Sequence, residues 1–112
     1  MLKGQLWLHY DNGEDEEHWE AQVKRAILRD DEVVLEFSGH DPDEGDFSGS
    51  FKASKVGPRY IGGGLFTVQN ASTTASVSVV LTNDGGNISI EGTWQDSGDS
   101  EAYALTAELE HG

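Results

Sequence analysis

Ala75-Ser76-Val77-Ser78-Val79-Val80-Leu81-Thr82-Asn83-Asp84-Gly85-Gly86-Asn87-Ile88-Ser89-Ile90-Glu91-Gly92-Thr93-Trp94 decides the fold. Ala75, Val77, Val79 and Leu81 alternate with Ser76, Ser78, Val80 and Thr82. After Asn83–Asn87, Ile88, Ile90, Gly92 and Trp94 alternate with Ser89, Glu91 and Thr93. A period of two on both sides of an Asn-Asp-Gly-Gly-Asn turn is the signature of a β-hairpin, because such a turn needs residues that accept positive φ.

The same rhythm extends both ways. Val33, Leu35 and Phe37 share one face, as do Phe47, Gly49, Phe51 and Ala53, then Tyr60, Gly62, Gly64, Phe66 and Val68, and finally Tyr103, Leu105, Ala107 and Leu109. Arg29–Glu32 and Lys55-Val56-Gly57-Pro58 read as tight turns. Short links make sequence neighbours sheet neighbours, so the expected fold is all-β: an antiparallel up-and-down meander of about eight strands. A meander has two edges to protect, and closure into a small barrel removes both. The glycines at 49, 62, 63, 64 and 92 permit strong coiling.

Toward the N-terminus, Leu6, Leu8 and Tyr10 alternate with Gln5, Trp7 and His9. Residues 15–29 admit two readings. As a helix, Trp19, Val23, Ala26 and Ile27 form a stripe, with acids in the first turn and Lys24, Arg25 and Arg29 at the end. As a strand, Trp19, Ala21, Val23 and Ile27 share a face interrupted by Arg25. The tight turn at Arg29–Glu32 favours the strand.

Gly92-Thr93-Trp94-Gln95-Asp96-Ser97-Gly98, followed by Tyr103-Ala104-Leu105, resembles the G-x-W strand rhythm of avidin-type and lipocalin-type barrels, the calycin group. Gly49-x-Phe51 and Gly62–Phe66 have a similar cadence. The resemblance implies a barrel shape with an interior pocket. Lipocalins carry their G-x-W near the N-terminus, whereas here it is near the C-terminus. The Asn, Ser, Tyr and Asp set that avidins use for biotin has no match, so biotin binding is not implied.

The 112 residues fit one domain, taken as a barrel over 1–112, with room for one core. There is no cysteine, hence no disulfide or thiolate metal site, which suits a reducing, cytoplasmic setting. No apolar run approaches a membrane span, and the first residues do not read as a signal peptide. Twenty-one acids against seven Lys and Arg leave a formal charge of −14. That field repels nucleic acid and anionic membranes and attracts basic proteins and cations.

In a meander, alternate loops lie at one end. Loop one carries Asp11, Glu14, Asp15, Glu16 and Glu17; loop three Asp41, Asp43, Glu44 and Asp46; loop five, read as Asn70–Thr74, no acid; loop seven Asp96, Asp99 and Glu101. None of these loops holds Lys or Arg. The expected partner-binding rim is therefore Glu16, Glu17, Asp41, Asp43, Glu44, Asp46, Asp96 and Asp99. Trp7, Tyr60 and Tyr103 are the residues expected to stack on a ligand.

Catalytic chemistry finds little footing: no cysteine, no G-x-S-x-G elbow, and a Gly62-Gly63-Gly64 run without the Lys-Ser/Thr of a phosphate loop. No cofactor is expected. The calcium candidates are Asp41, Asp43 and Asp46, in a loop lacking the closing Glu of an EF-hand. For zinc, His18 and His40 would have to meet on the rim. Three classes follow, in order: a non-catalytic binding protein presenting an acidic rim and a barrel pocket to a ligand or basic partner; an acidic inhibitor or DNA mimic covering a basic protein surface; an enzyme with its site in the barrel mouth. A homo-oligomer is compatible with all three.

Overall fold

The computed structural model describes residues 2–11, 13, 14 and 16–111, the last without its side chain. Eight strands follow one another: β1 (Leu2–Asp11), β2 (Glu16–Leu28), β3 (Glu32–Asp41), β4 (Gly45–Val56), β5 (Arg59–Val68), β6 (Ala71–Asp84), β7 (Asn87–Asp96) and β8 (Tyr103–His111). Each pairs antiparallel with the next. β8 returns to β1, from Leu2↔His111 to His9↔Ala104, and closes the barrel. The meander and its closure are as the alternation requires, and residues 16–28 are strand, not helix.

One face assignment needs correction. β2 carries a bulge, with Val23 opposite Phe37 and Arg25 opposite Glu36, so Lys24 is the extra residue. The bulge inverts the alternation beyond it. Ala26 and Leu28 therefore pack against the core and Ile27 turns outward, contrary to a face shared by Val23 and Ile27. This bulge also explains the helix-like spacing of Val23 and Ala26.

Loop five is likewise shorter than read. The turn is Gln69–Asn70, both with positive φ (53° and 63°), and β6 already begins at Ala71. Two positive φ values make the primed turn that suits strand twist. Asn accepts this region readily and Gln does not. The side chain of Gln69 helps hold it there, donating to Glu44 Oε2 at 2.8 Å in the neighbouring turn between β3 and β4.

The inward rows meet in a core that includes Leu6, Leu35, Phe37, Phe51, Trp94 and Leu105, each almost wholly buried. Every buried side-chain polar atom described has a partner. Trp94 lies edge-on to Phe37, with ring centroids 5.9 Å apart. Its bulk is accommodated by Gly64, where an added Cβ would sit 2.6 Å from the indole. At Gly62 a Cβ would come within 1.9 Å of the Lys52 carbonyl oxygen, a backbone atom in a ladder. Glycine at 62 thus lets β5 lie against β4 at full curvature.

Gly62→Ala is expected to lower unfolding free energy by about 2–4 kcal/mol, because the clash is with main chain that cannot rotate away. Denaturant titration measures this, and an unchanged midpoint would contradict the close approach.

Candidate functional site

In a closed eight-strand meander the first, third, fifth and seventh connections share one end. The sequence rim is therefore assembled: Glu16 and Glu17; Asp41, Asp43, Glu44 and Asp46; and Asp96 and Asp99 surround the same mouth. Hydrogen bonds sew these connections together. Tyr103 on β8 donates to the Glu17 carboxylate on β2, and Tyr10 on β1 donates to Glu101 in the seventh connection. Gln69 joins the third and fifth connections, and Ser97 N–H in the seventh donates to the Thr74 carbonyl on β6 at 2.9 Å.

The inner wall beneath the carboxylates is aromatic. Trp19, Phe47 and Phe66 form a triad with centroid separations of 5.0, 5.1 and 5.4 Å. Tyr10 and Tyr103 lean together at 5.7 Å. Trp94 Nε1–H donates to Asp96 Oδ1 at 3.0 Å and orients that acid over the core. A cleft of about 500 Å³ opens where β1, β2 and the seventh connection converge; Tyr10, Glu16, Glu17, Asp99, Glu101 and Tyr103 line it. Deeper in the barrel the space is filled by the core side chains.

Burial pushes the Tyr103 phenol well above the usual tyrosine value. The hydrogen bond to Glu17 and the negative charges of Glu17 and Asp96 act in the same sense, and a hydrogen bond with Trp19 opposes them. The phenol thus remains a neutral donor beneath the rim.

The three expected stacking residues do not form one site. Tyr103 lines the mouth. Tyr60 stands at the opposite end, where its hydroxyl donates to the Asp30 carbonyl at 3.2 Å. Trp7 is on the outer wall, half-buried beside Gln5, Gln22 and Glu108 in a groove of about 670 Å³. Tyr10, Trp19 and Glu101 belong to the mouth and were not among the expected site residues. Tyr10 was legible, since it continues the inward row of Leu6 and Leu8 and stands in register with Glu17.

The metal candidates are also dispersed in role. Asp41 Oδ2 accepts from the backbone N–H groups of Asp43 (3.0 Å) and Glu44 (2.9 Å), stabilising the turn. Asp46 meets His40 Nδ1 at 2.8 Å. His18 packs edge-on against His9, centroids 5.9 Å apart, and not against His40. Among the described residues no group of three or more His, Asp or Glu side chains is arranged to hold a metal ion.

No family model matches the chain, and no curated protein matches it. Solved structures do share its path. A redesigned beta barrel, b11L5F_LGL, superposes with TM-score 0.57 at 15% identity, covering 99% of this chain and 89% of that one. The redesigned beta barrel mFAP1, bound to DFHBI, superposes with TM-score 0.55 at 15% identity, covering 98% and 92%. The ywiB protein from Bacillus subtilis aligns at TM-score 0.46 and 10% identity over 99% and 91%. The first two support a small closed barrel; the calycin resemblance extends no further than that shape. Among the described residues no helix is long and apolar enough to cross a membrane.

Tyr103 should ionise above the usual tyrosine range in a spectrophotometric titration, and Tyr103→Phe should remove that late step. The raised value belongs to the folded state, so its stabilising contribution is complete below pH about 10 and declines as pH climbs from there toward the folded value. Wild type should accordingly lose more stability than Tyr103→Phe over that alkaline window.

Proposed function

We propose that this barrel is a non-catalytic binding module whose acidic mouth receives a cationic group, either a basic side chain of a partner protein or a small organic cation. The supporting observation is the mouth itself: Glu16, Glu17, Asp99 and Glu101 surround a cleft floored by Tyr10 and Tyr103, and the connections at this end carry no Lys or Arg. Crowded carboxylates repel one another within a screening length of about 8 Å, and a bound cation relieves that cost. Aromatic faces beside carboxylates suit a guanidinium or substituted ammonium, whose charge is attracted to the ring and whose flat or apolar parts pack on it.

Barrels of this shape can hold small molecules at one end, as the DFHBI complex of mFAP1 illustrates for that protein. Here the likeness to calycins is one of shape, with the mouth as the binding end. The absence of cysteine supports a cytoplasmic setting. The rim acids Asp41, Asp43, Glu44, Asp46 and Asp96 extend the field around the cleft and would speed encounter with a basic partner.

Calorimetry with an oligoarginine peptide tests this reading. Binding should weaken steeply as salt rises, and Asp99→Lys combined with Asp43→Lys should cost about tenfold in affinity. Glu17→Gln should weaken binding at any salt, because Glu17 lies within the cleft. Binding that ignores salt and all three substitutions would refute the mouth as the site.

A further inference from the structure

From Phe47 to Asn83 the chain contains no Asp or Glu at all, while it carries Lys52, Lys55 and Arg59. This stretch is +3 in a chain of −14, so the remaining residues carry −17. It folds as β4, β5 and β6, three adjacent strands, apart from their outer ends. The charge segregation in the sequence thus becomes one acid-free wall of the barrel.

The outward positions of this wall are Ser48, Ser50, Lys52 and Ser54 on β4, Ile61, Gly63 and Leu65 on β5, and a Ser/Thr row on β6. Among the described residues the exposed large hydrophobics are Val56 (58% exposed), Ile61 (46%) and Leu65 (42%), and all three stand here. The cations are partly occupied: Lys52 pairs with Glu32 at 3.5 Å, and Arg59 Nε donates to Ser78 Oγ at 2.7 Å.

Gly63 adds an independent observation. Its neighbours need to be glycine, since Cβ atoms at 62 and 64 would strike the Lys52 carbonyl and the Trp94 ring. A Cβ at 63 would meet only the Ala75 carbonyl oxygen at 3.5 Å, an ordinary contact. Pairing is continuous through it, from Lys52 on one side to Ser76 on the other, so it marks no bulge. The barrel gains nothing from glycine there and loses strand stability. What remains among the usual reasons for a strand glycine is close approach by another molecule.

We propose that this wall is a self-association surface, on which a second copy of the chain packs β5 over β5 about a twofold axis running along the strand near Gly63. Charge selects the occupant. Each of the other strands carries acids, whereas here a second copy meets hydroxyls, Ile61, Leu65 and the dent at Gly63. An axis along β5 lays β4 of each copy over β6 of the other, so Lys52 faces the Ser/Thr row and not a second lysine. Such an interface is isologous and closed. Nine residues of strand by three strand spacings give a patch of about 30 by 14 Å, about 400 Å² per copy. That is small for a permanent dimer and predicts association at high micromolar concentration. The surface is separate from the acidic mouth and stands or falls without it.

Sedimentation equilibrium of the full chain from about 10 µM to 1 mM, at salt near 0.15 M, tests it. The apparent mass should rise from 12.2 kDa toward twice that value. Leu65→Glu and Gly63→Glu should each hold the chain at monomer mass across the range with circular dichroism unchanged. Gly63→Ala, which leaves the dent largely open, should still associate and should melt no lower than wild type. Asp99→Lys, at the mouth, should leave association intact. A wild type that remains monomeric at 1 mM overturns the proposal, as does association that survives both glutamate substitutions.

Discussion

Everything at the mouth depends on the ladder between β1 and β8. In an open meander, the first and seventh connections would lie near opposite edges, about six strand spacings of 4.8 Å apart. Closure from Leu2↔His111 to His9↔Ala104 brings them side by side. Only then does Tyr103 reach Glu17 and Tyr10 reach Glu101. The ladder also removes the two free edges, which matters for a chain whose strands are rich in valine and serine.

Closure at this small size has a steric requirement. Eight strands leave a narrow interior, and here Trp94, Phe37 and Phe51 occupy much of it. The wall must then yield where they press, and Gly62 and Gly64 are the places where it does. The resulting middle is solid, so ligand space is displaced to the mouth and the outer surface. The G-x-W rhythm of β7 therefore serves core packing here: its tryptophan wedges against Phe37 and Gly64 and directs Asp96 upward.

The charge distribution divides the molecule along two directions. Along the barrel axis, acids gather at the end formed by the odd connections. Around its circumference, β4–β6 are free of acid from Phe47 to Asn83, and each of the other strands carries acid. Like charges confined to part of a small surface are costly, and that cost is tolerable where exposed loops keep the carboxylates hydrated. The mouth adds neutral donors from Tyr10 and Tyr103, with Tyr103 kept protonated chiefly by burial.

Alternation by itself determined the strands, their inward rows and the end at which the acids collect, because a period of two and short turns leave few choices. What it could not determine was the inversion in β2: a bulge at Lys24 is invisible to a rule that assumes strict alternation, so Ile27 was assigned inward when Ala26 and Leu28 are. Nor could it separate Trp7, Tyr60 and Tyr103, which share an aromatic character but stand on the wall, the far end and the mouth. Local pattern records which face a residue takes on its own strand. Which strands meet around the circumference, and which side chains then face one another across the opening, is decided only when the sheet closes on itself.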